Sequence, residues 1–213
     1  MCLSCWNHVK PMEAPWCASC GYAFPSKVVE PERALCGPCR RGLYLFDAAR
    51  AYGPFQDPLN QIVHQLKYHR HPSLARPLAS RLAACFEAHR EVLQADGVVP
   101  VPLHRTRERE RGFNQASEIA QHFGKLAGLE VHRRWLVRMR ATQVQAGLSR
   151  RERRLNVRGA FKLAPAAKAS GRTLLLIDDV FTTGATLNEC ARILKEHGTA
   201  RVVVLTVARV IRD

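Results

Sequence analysis

The sequence predicts an α/β fold in which helices flank a parallel sheet, with a small cysteine-rich module at the N-terminus. Short apolar segments alternate with amphipathic ones from residue 46 onward, which is typical of strands joined by crossover helices. Residues 173–177 are continuously apolar, as in a strand buried on both faces of a parallel sheet. Six of the eight cysteines lie before residue 40, and all six fall in C-x-x-C pairs.

Hydrophobic periodicity assigns the elements along the chain. Strands are predicted at residues 46–52, 97–102, 136–139, 173–177 and 200–208. Helices are predicted at residues 58–68, 73–90, 114–126 and 186–197. Ser73 is expected to cap the second helix, and Gly198 to end the last one. The apolar faces of the first two helices consist of Leu59, Ile62, Val63, Leu66, Leu74, Leu78, Leu82 and Phe86.

The chain carries a formal net charge of +15, from 33 basic and 18 acidic residues. Such an excess favours a polyanionic partner, namely nucleic acid, a phosphate-rich metabolite or an anionic membrane surface. No apolar run approaches the ~20 residues of a membrane span. Cysteines and tryptophans stand where a secretory signal would be apolar, so the expected location is the cytoplasm.

Much of the positive charge lies in residues 133–158, which hold nine arginines and one acid, Glu152. A solvated basic face is one interpretation of this segment. We favour a loop that faces phosphate, because glycine, serine and glutamine interrupt the segment and its helical periodicity is weak. Residues 140–158 are the candidate for a mobile loop that closes over a ligand.

The N-terminal cysteines are spaced as metal ligands. In a reducing compartment, repeated C-x-x-C pairs indicate metal more often than disulfide, and four thiolates complete a tetrahedral zinc site. A thioredoxin-type redox role is the alternative for a single pair. The predicted ligands of a closed, structural zinc site are Cys17, Cys20, Cys36 and Cys39. Cys2 and Cys5 either belong to a second site or compete for the first.

Aromatic residues accompany these cysteines. A metal-stapled module of ~40 residues needs only a small apolar core. The residues expected to form it are Trp6, Trp16, Tyr22 and Phe24. Cys85 and Cys190 lie in helical patterns and are expected to be buried apolar residues.

Two adjacent acids, Asp178 and Asp179, follow the apolar strand at residues 173–177. Ligands of open α/β sheets bind beyond the carboxyl ends of the strands. Acids at this place can accept hydrogen bonds from vicinal hydroxyls or lie near a magnesium ion. Small and hydroxyl residues then lead into a helix, whose amides and dipole favour a phosphate. These residues are Thr182, Thr183, Gly184, Ala185 and Thr186.

Residues 175–187 resemble the motif with which type I phosphoribosyltransferases bind phosphoribosyl pyrophosphate (PRPP). The match implies that Asp178 and Asp179 contact the ribose hydroxyls and that residues 182–186 surround the 5-phosphate. It also implies a diphosphate loop after an earlier strand. Residues 101–105 fit that place, with Pro102 and the basic Arg105, and magnesium is expected with the diphosphate.

The wider chain is similar to the ComF/GntX proteins of bacteria over nearly its whole length. The resemblance is carried by Cys17-x-x-Cys20-Gly21, Cys36-Gly37-x-Cys39, the motif above, and residues 64–68, 111–115 and 147–149. It implies a zinc-ribbon or treble-clef-like module at residues 1–44 and a type I phosphoribosyltransferase-like domain at residues 45–213. It also implies a role in natural competence and in handling incoming DNA. Longer members begin with one more C-x-x-C pair, so we expect either a start placed too late or a lost first metal site.

Three functions are compatible with this resemblance. The first is a phosphoribosyltransferase with an unknown acceptor. The second is a non-catalytic protein that senses PRPP. The third is an accessory protein that binds single-stranded DNA and works with the uptake machinery.

Several residues are expected to meet the anionic ligand or the acceptor. Lys67 and Arg105 are expected to bind the phosphates of PRPP. The residues expected to contact DNA or the diphosphate are Arg111, Asn114, Gln115, Arg150 and Arg151. Thr182 stands where many purine-type relatives have an acid, so the sequence names no general base. His104 is a candidate proton acceptor, although a surface histidine is the more ordinary interpretation.

Overall fold

The computed structural model describes residues 3–24, 33–69, 71–142 and 149–211. Within these ranges the strands are β1 (Ala48–Pro54), β2 (Gly97–Pro100), β3 (Leu136–Arg138), β4 (Phe161–Leu163), β5 (Thr173–Phe181) and β6 (Arg201–Arg209). The α-helices are α1 (Leu3–Asn7), α2 (Gly37–Arg40), α3 (Leu59–Tyr68), α4 (Ala75–Ala88), α5 (Arg90–Leu93), α6 (Arg105–Arg111), α7 (Gln115–Ala127), α8 (Arg150–Val157) and α9 (Ala185–Glu196).

Four strands form a parallel sheet in the order β1-β6-β5-β2. The two central strands, β5 and β6, are buried along almost their whole length, as their continuous apolar sequence predicts. Helices cover the sheet, so the predicted α/β class is confirmed. β5 ends at Phe181 rather than at Ile177, because its pairing with β6 continues through Asp178 and Val180. The two acids therefore lie in the strand, not beyond it.

The helices with strong apolar periodicity lie where the sequence predicts them. Leu59, Ile62, Val63 and Leu66 of α3 are all buried. In α4 the prediction that Ser73 caps the helix is wrong. A 3-10 turn at Pro72–Leu74 precedes α4, and Leu74 occupies the capping position without a side-chain hydrogen bond. Gly198 follows the end of α9 with a φ of 83°, which glycine adopts without strain.

Several elements differ from the prediction. β3 pairs antiparallel with β4 in a separate two-stranded sheet, so it does not join the parallel sheet. α6 and α8 carry no apolar stripe, and periodicity therefore did not reveal them. α8 is stabilised by a capping box between Ser149 and Glu152. The second half of the predicted loop at residues 140–158 is thus helical, and residues 143–148 lie outside the described residues.

The cysteine-rich module packs directly on the parallel sheet. The amide of Ala49 on β1 donates to the carbonyl of Ser19 at 2.8 Å, and Cys17 belongs to the same apolar cluster as Val99 and Leu174. Two of the four expected core aromatics do not form a core of the module. Trp6 lies under the Arg81 guanidinium of α4, and Trp16 meets His89 edge to face.

None of the helices within the described ranges has the length and hydrophobicity that a membrane span requires.

Candidate functional site

The two acids of β5 differ in their surroundings. Asp179 is 4% exposed, and its carboxylate oxygen Oδ2 lies 2.9 Å from Nζ of Lys67 on α3. Asp178 lies on the opposite side of the strand, since successive side chains alternate. Its Oδ1 accepts a hydrogen bond from the amide of Asp179 at 2.9 Å. The carboxyl end of β5 therefore presents two acids on opposite sides of the strand, and the ammonium group of Lys67 compensates the one that faces α3, Asp179.

These charges shift one another's pKa values. Burial and the charge of Asp179 raise the pKa of Asp178 to about 7, although Lys67 acts against the shift. Burial lowers the pKa of Lys67, but the attraction of Asp179 outweighs it and the net pKa is raised. Lys67 is therefore charged at neutral pH, whereas Asp178 changes charge near pH 7. A raised carboxyl pKa in a cleft is typical of functional sites.

The turn at residues 182–184 joins β5 to α9, and together with the first two residues of α9 it is named the phosphate loop (residues 182–186). Gly184 is the residue before α9 and has a φ of 77°. A Cβ atom at this position would lie 2.5 Å from Cε2 of Phe181 and 2.9 Å from Cε1 of Tyr44. Only glycine fits, because both the backbone angle and the space exclude a side chain. The amide of Ala185 donates to Oγ1 of Thr183 at 3.4 Å, which closes the turn.

A cavity of about 420 Å³ lies over these elements. It brings together most of the residues that the sequence singled out. Its lining includes Lys67, Pro102, Arg111, Gln115, Asp178, Asp179, Thr182, Gly184, Ala185 and Thr186. Thr183 lines two smaller adjoining cavities instead. The candidate acids, four of the five residues of the phosphate loop and three of the predicted diphosphate contacts thus share one pocket.

The segment at residues 101–105 borders this pocket. The amide of Val101 donates to the carbonyl of Ile177 on β5 at 2.9 Å. Nδ2 of Asn114 donates to the carbonyl of Val101 at 3.1 Å, and its Oδ1 caps α7. Asn114 thus holds the segment in place and does not line the pocket. His104 caps α6 through Nδ1, which accepts from the amide of Thr106, so this nitrogen is already engaged.

Not every predicted residue reaches the pocket. Arg105 is exposed and lines a neighbouring cavity of about 530 Å³. Arg151 is exposed on α8 and does not line the pocket. The side chain of Arg150 lies outside the described residues.

Three further arginines line the pocket, and two of them belong to the basic segment at residues 133–158 that was predicted to face phosphate. They are Arg107, Arg138 and Arg153. Arg107 donates to the carbonyl of Thr142 at 3.0 Å, and Arg138 donates to the hydroxyl of the same residue. Arg138 is the one basic residue in the predicted strand at residues 136–139, and this is the feature of the sequence that could have identified it. The pocket therefore holds more positive charge than the sequence motif alone indicates.

The four predicted zinc ligands form one cluster. The sulfur atoms of Cys17, Cys20, Cys36 and Cys39 all lie within 4.8 Å of one another. Tetrahedral zinc with bonds of about 2.3 Å places its sulfurs about 3.8 Å apart, and Sγ of Cys20 lies 3.5 Å from Sγ of Cys36. The amide of Cys36 donates to Sγ of Cys17 at 3.3 Å, as expected around a thiolate. The four cysteines can therefore hold a metal ion.

Cys17 and Cys20 lie in a turn closed by a bridge between Trp16 and Ala23. Cys36 and Cys39 lie at the start of α2. Among the described residues, Cys5 is not part of the cluster. Cys2 lies outside the described residues. Cys85 and Cys190 are buried, as expected.

Several known proteins are similar to this chain in sequence or in structure. Residues 109–212 match the phosphoribosyl transferase domain family. The chain is 30% identical to competence protein F of Haemophilus influenzae, over 98% of this chain and 90% of that protein. It is 32% identical to the DNA utilization protein YhgH of Salmonella typhimurium, over 96% of each. Among solved structures, glutamine PRPP amidotransferase from B. subtilis is similar over 62% of this chain and 26% of that one, with 18% identity and a TM-score of 0.41.

Proposed function

This chain belongs to the ComF/GntX family, and from that premise we propose that it binds PRPP and transfers the phosphoribosyl group to an acceptor during DNA uptake or DNA utilization. The observation that carries the proposal is the shared pocket of the Asp178–Asp179 pair and the phosphate loop. The two relatives are named for competence and for DNA utilization, which supports the biological role.

Each part of the pocket suits one part of PRPP. Carboxylates at Asp178 and Asp179 can accept hydrogen bonds from the two ribose hydroxyls. The amides and hydroxyls of the phosphate loop suit the 5-phosphate, because the start of α9 favours negative charge. Pro102 and residues around it border the pocket where the diphosphate would lie. A cavity of about 420 Å³ is in the usual size range of small-molecule sites.

In the proposed reaction a nucleophile attacks the anomeric carbon, and the bond to the diphosphate breaks. Negative charge then develops on the leaving group and must be stabilised. Lys67, Arg111 and Arg138 line the pocket and supply positive charge for this purpose. Magnesium, when bound with the diphosphate, would neutralise further charge, and the carboxylates of the pocket are ligands of the kind it prefers.

For the metal cluster we propose a structural zinc ion. Four thiolates in a closed arrangement suit zinc and leave no open position for chemistry. The ion would stabilise the fold of residues 1–44, which contain little secondary structure in the described part. We propose that residues 1–44 act as this module and residues 45–213 as the transferase-like domain.

Calorimetric titration with PRPP and magnesium tests the proposed binding. Wild type is expected to bind at micromolar concentration, and the double variant Asp178→Ala/Asp179→Ala is expected to lose binding. Glu87→Gln, a change of an exposed acid on α4, serves as a control and should bind like wild type. A well-folded wild type that binds no PRPP contradicts the proposal. Release of pyrophosphate on addition of an acceptor then tests turnover.

A second candidate function is binding of single-stranded DNA. The observation that favours it is α8, on which Arg151 and Arg154 are both exposed. Binding through phosphates weakens as salt rises, with a slope of about 0.7 per contact for single strands. Arg151→Ala/Arg154→Ala is expected to weaken binding on any sequence and to reduce that slope. Arg76→Ala/Lys125→Ala removes two exposed charges elsewhere and serves as the control; equal loss in both variants contradicts a role for α8.

A further inference from the structure

Arg209, the last residue of β6, is a buried arginine that contacts the cysteine cluster. Only 3% of it is exposed. A buried guanidinium needs compensating partners, because removing its charge from water is costly. Its Nη1 donates to the carbonyl of Cys20 at 2.6 Å, and its Nη2 donates to Sγ of Cys20 at 3.2 Å. A cluster of metal-bound thiolates carries negative charge, so it is a suitable partner for this cation.

The other side of the guanidinium contacts the support of the phosphate loop. Arg209 pairs with Phe181 across the two central strands, and its guanidinium carbon lies 3.8 Å from the centroid of the Phe181 ring. The same ring fills the space that a Cβ at Gly184 would need. The cluster, Arg209, Phe181 and the phosphate loop are therefore in continuous contact.

Tyr44 makes a parallel connection from the module to the same loop. It lies five positions after Cys39, and its hydroxyl donates to the carbonyl of Thr183 at 3.3 Å. Its ring meets Phe181 edge to face at 5.8 Å. Burial raises the pKa of Tyr44 to about 12, so the hydroxyl keeps its proton near neutral pH. A cavity of only about 190 Å³ separates Cys36 from Thr183.

We infer that Arg209 is a positioning residue that couples the four-cysteine cluster to the phosphate loop. Metal-bound thiolates hold the guanidinium, the guanidinium holds the Phe181 ring, and the ring together with Tyr44 fixes the backbone of residues 182–185. Occupancy of the cluster thereby sets the order of the loop that binds the anion. The name of that loop rests on the proposed function, whereas the coupling rests on the contacts alone.

Hydrogen exchange of the amides in residues 182–187 tests the coupling without any ligand. In metal-loaded protein, Arg209→Lys keeps the charge but removes the planar contact with Phe181 and one of two hydrogen bonds. It is expected to accelerate exchange of this segment by about tenfold. Arg50→Lys is the matched control. Arg50 is also a buried strand arginine, 6% exposed, but its described hydrogen bonds go to the carbonyls of Ala18, Ser19 and Ala49.

Metal content of each variant is measured by native mass spectrometry before exchange. If Arg209→Lys retains one metal per chain and its loop exchanges like that of wild type, the inference is wrong. If Arg50→Lys accelerates hydrogen exchange of the loop equally, the module loosens as a whole and the inference is also wrong. If Arg209→Lys fails to hold metal, Tyr44→Phe decides whether the module orders the loop, because it removes only the hydrogen bond from the Tyr44 hydroxyl to the carbonyl of Thr183. The rate of hydrogen exchange at residues 182–187 should be higher in Tyr44→Phe than in wild type, and an unchanged rate contradicts the inference.

The affinity for PRPP gives a second readout. Removal of metal by a chelator is expected to weaken PRPP binding by wild type about tenfold, and to change the weaker binding of Arg209→Lys much less. Equal sensitivity of both proteins to the chelator contradicts the coupling. Absence of PRPP binding by metal-loaded wild type contradicts the proposed function instead, and the exchange experiment still decides the coupling.

Discussion

The ammonium group of Lys67 lies 2.9 Å from the buried carboxylate of Asp179, and this contact joins α3 to the carboxyl end of β5. The pair places a cation at the bottom of the pocket before any ligand is present. It also keeps a buried acid compensated, which Asp179 requires because only 4% of it is exposed. When a diphosphate enters, the same ammonium group can interact with the more highly charged ligand.

Lys67→Met is expected to destabilise the protein, because it leaves the Asp179 carboxylate buried without its ion pair. Since the Lys67 side chain is itself 22% exposed, we expect a loss of about 1–3 kcal/mol in the free energy of unfolding. Urea unfolding at pH 7.5 measures it. Lys125→Met, at an exposed position on α7, is the control and should change stability by less than about 0.5 kcal/mol. Equal stability of both variants contradicts the importance of the pair.

Asp178→Asn is expected to stabilise the ligand-free protein at high pH. In the folded wild type the pKa of Asp178 is about 7, above the ordinary value of 3.8. The folded state therefore binds this proton more tightly than the unfolded chain does. Stability is lost as pH rises from about 4 to 7, and above pH 7 the loss is complete. Asparagine resembles the protonated acid, so the gain should be small at pH 4.5 and on the order of 2–4 kcal/mol at pH 8.

Urea unfolding of wild type and Asp178→Asn at both pH values measures this difference. Glu91→Gln, at an exposed position on α5, should show no such dependence on pH. The same Asp178→Asn variant should bind PRPP at least about tenfold more weakly, since the ribose hydroxyls lose an ionised acceptor. A variant that is less stable than wild type at pH 8 contradicts the raised pKa.

The sequence predicts the parallel sheet and the long helices because their signals are local. Apolar runs define β5 and β6, and a three-to-four residue spacing defines α3. The phosphate loop is also contiguous, so its motif is visible in the sequence. The Lys67–Asp179 pair is not visible in the sequence, because it joins residues from distant segments whose contact depends on how α3 packs. Arg138 reaches the pocket from β3, whose antiparallel pairing with β4 the sequence did not reveal.

Gly184→Ala is expected to disorder the phosphate loop and to weaken anion binding. The new Cβ would lie 2.5 Å from the Phe181 ring and would also strain a residue with a φ of 77°. Gly171→Ala is the matched control, since Gly171 has a φ of 73° and open space around its Cβ position. Both variants should lose about 1–2 kcal/mol from backbone strain, and only Gly184→Ala should lose PRPP binding by tenfold or more. Calorimetry with PRPP and urea unfolding separate the two effects.

Cys39→Ser is expected to release the metal and to destabilise the chain. It leaves three thiolates, and a serine hydroxyl is a poorer ligand for zinc than a thiolate. Wild type should carry one zinc ion per chain in native mass spectrometry, and the variant should carry much less. Cys85→Ala changes a buried cysteine outside the cluster, so it should lower stability by a packing loss while retaining the ion.

Because the module packs on β1 and contacts Arg209, loss of the ion in Cys39→Ser should also increase hydrogen exchange at residues 182–187. A metal-free wild type that is stably folded contradicts the zinc assignment, and normal metal content in Cys39→Ser excludes this residue as a ligand.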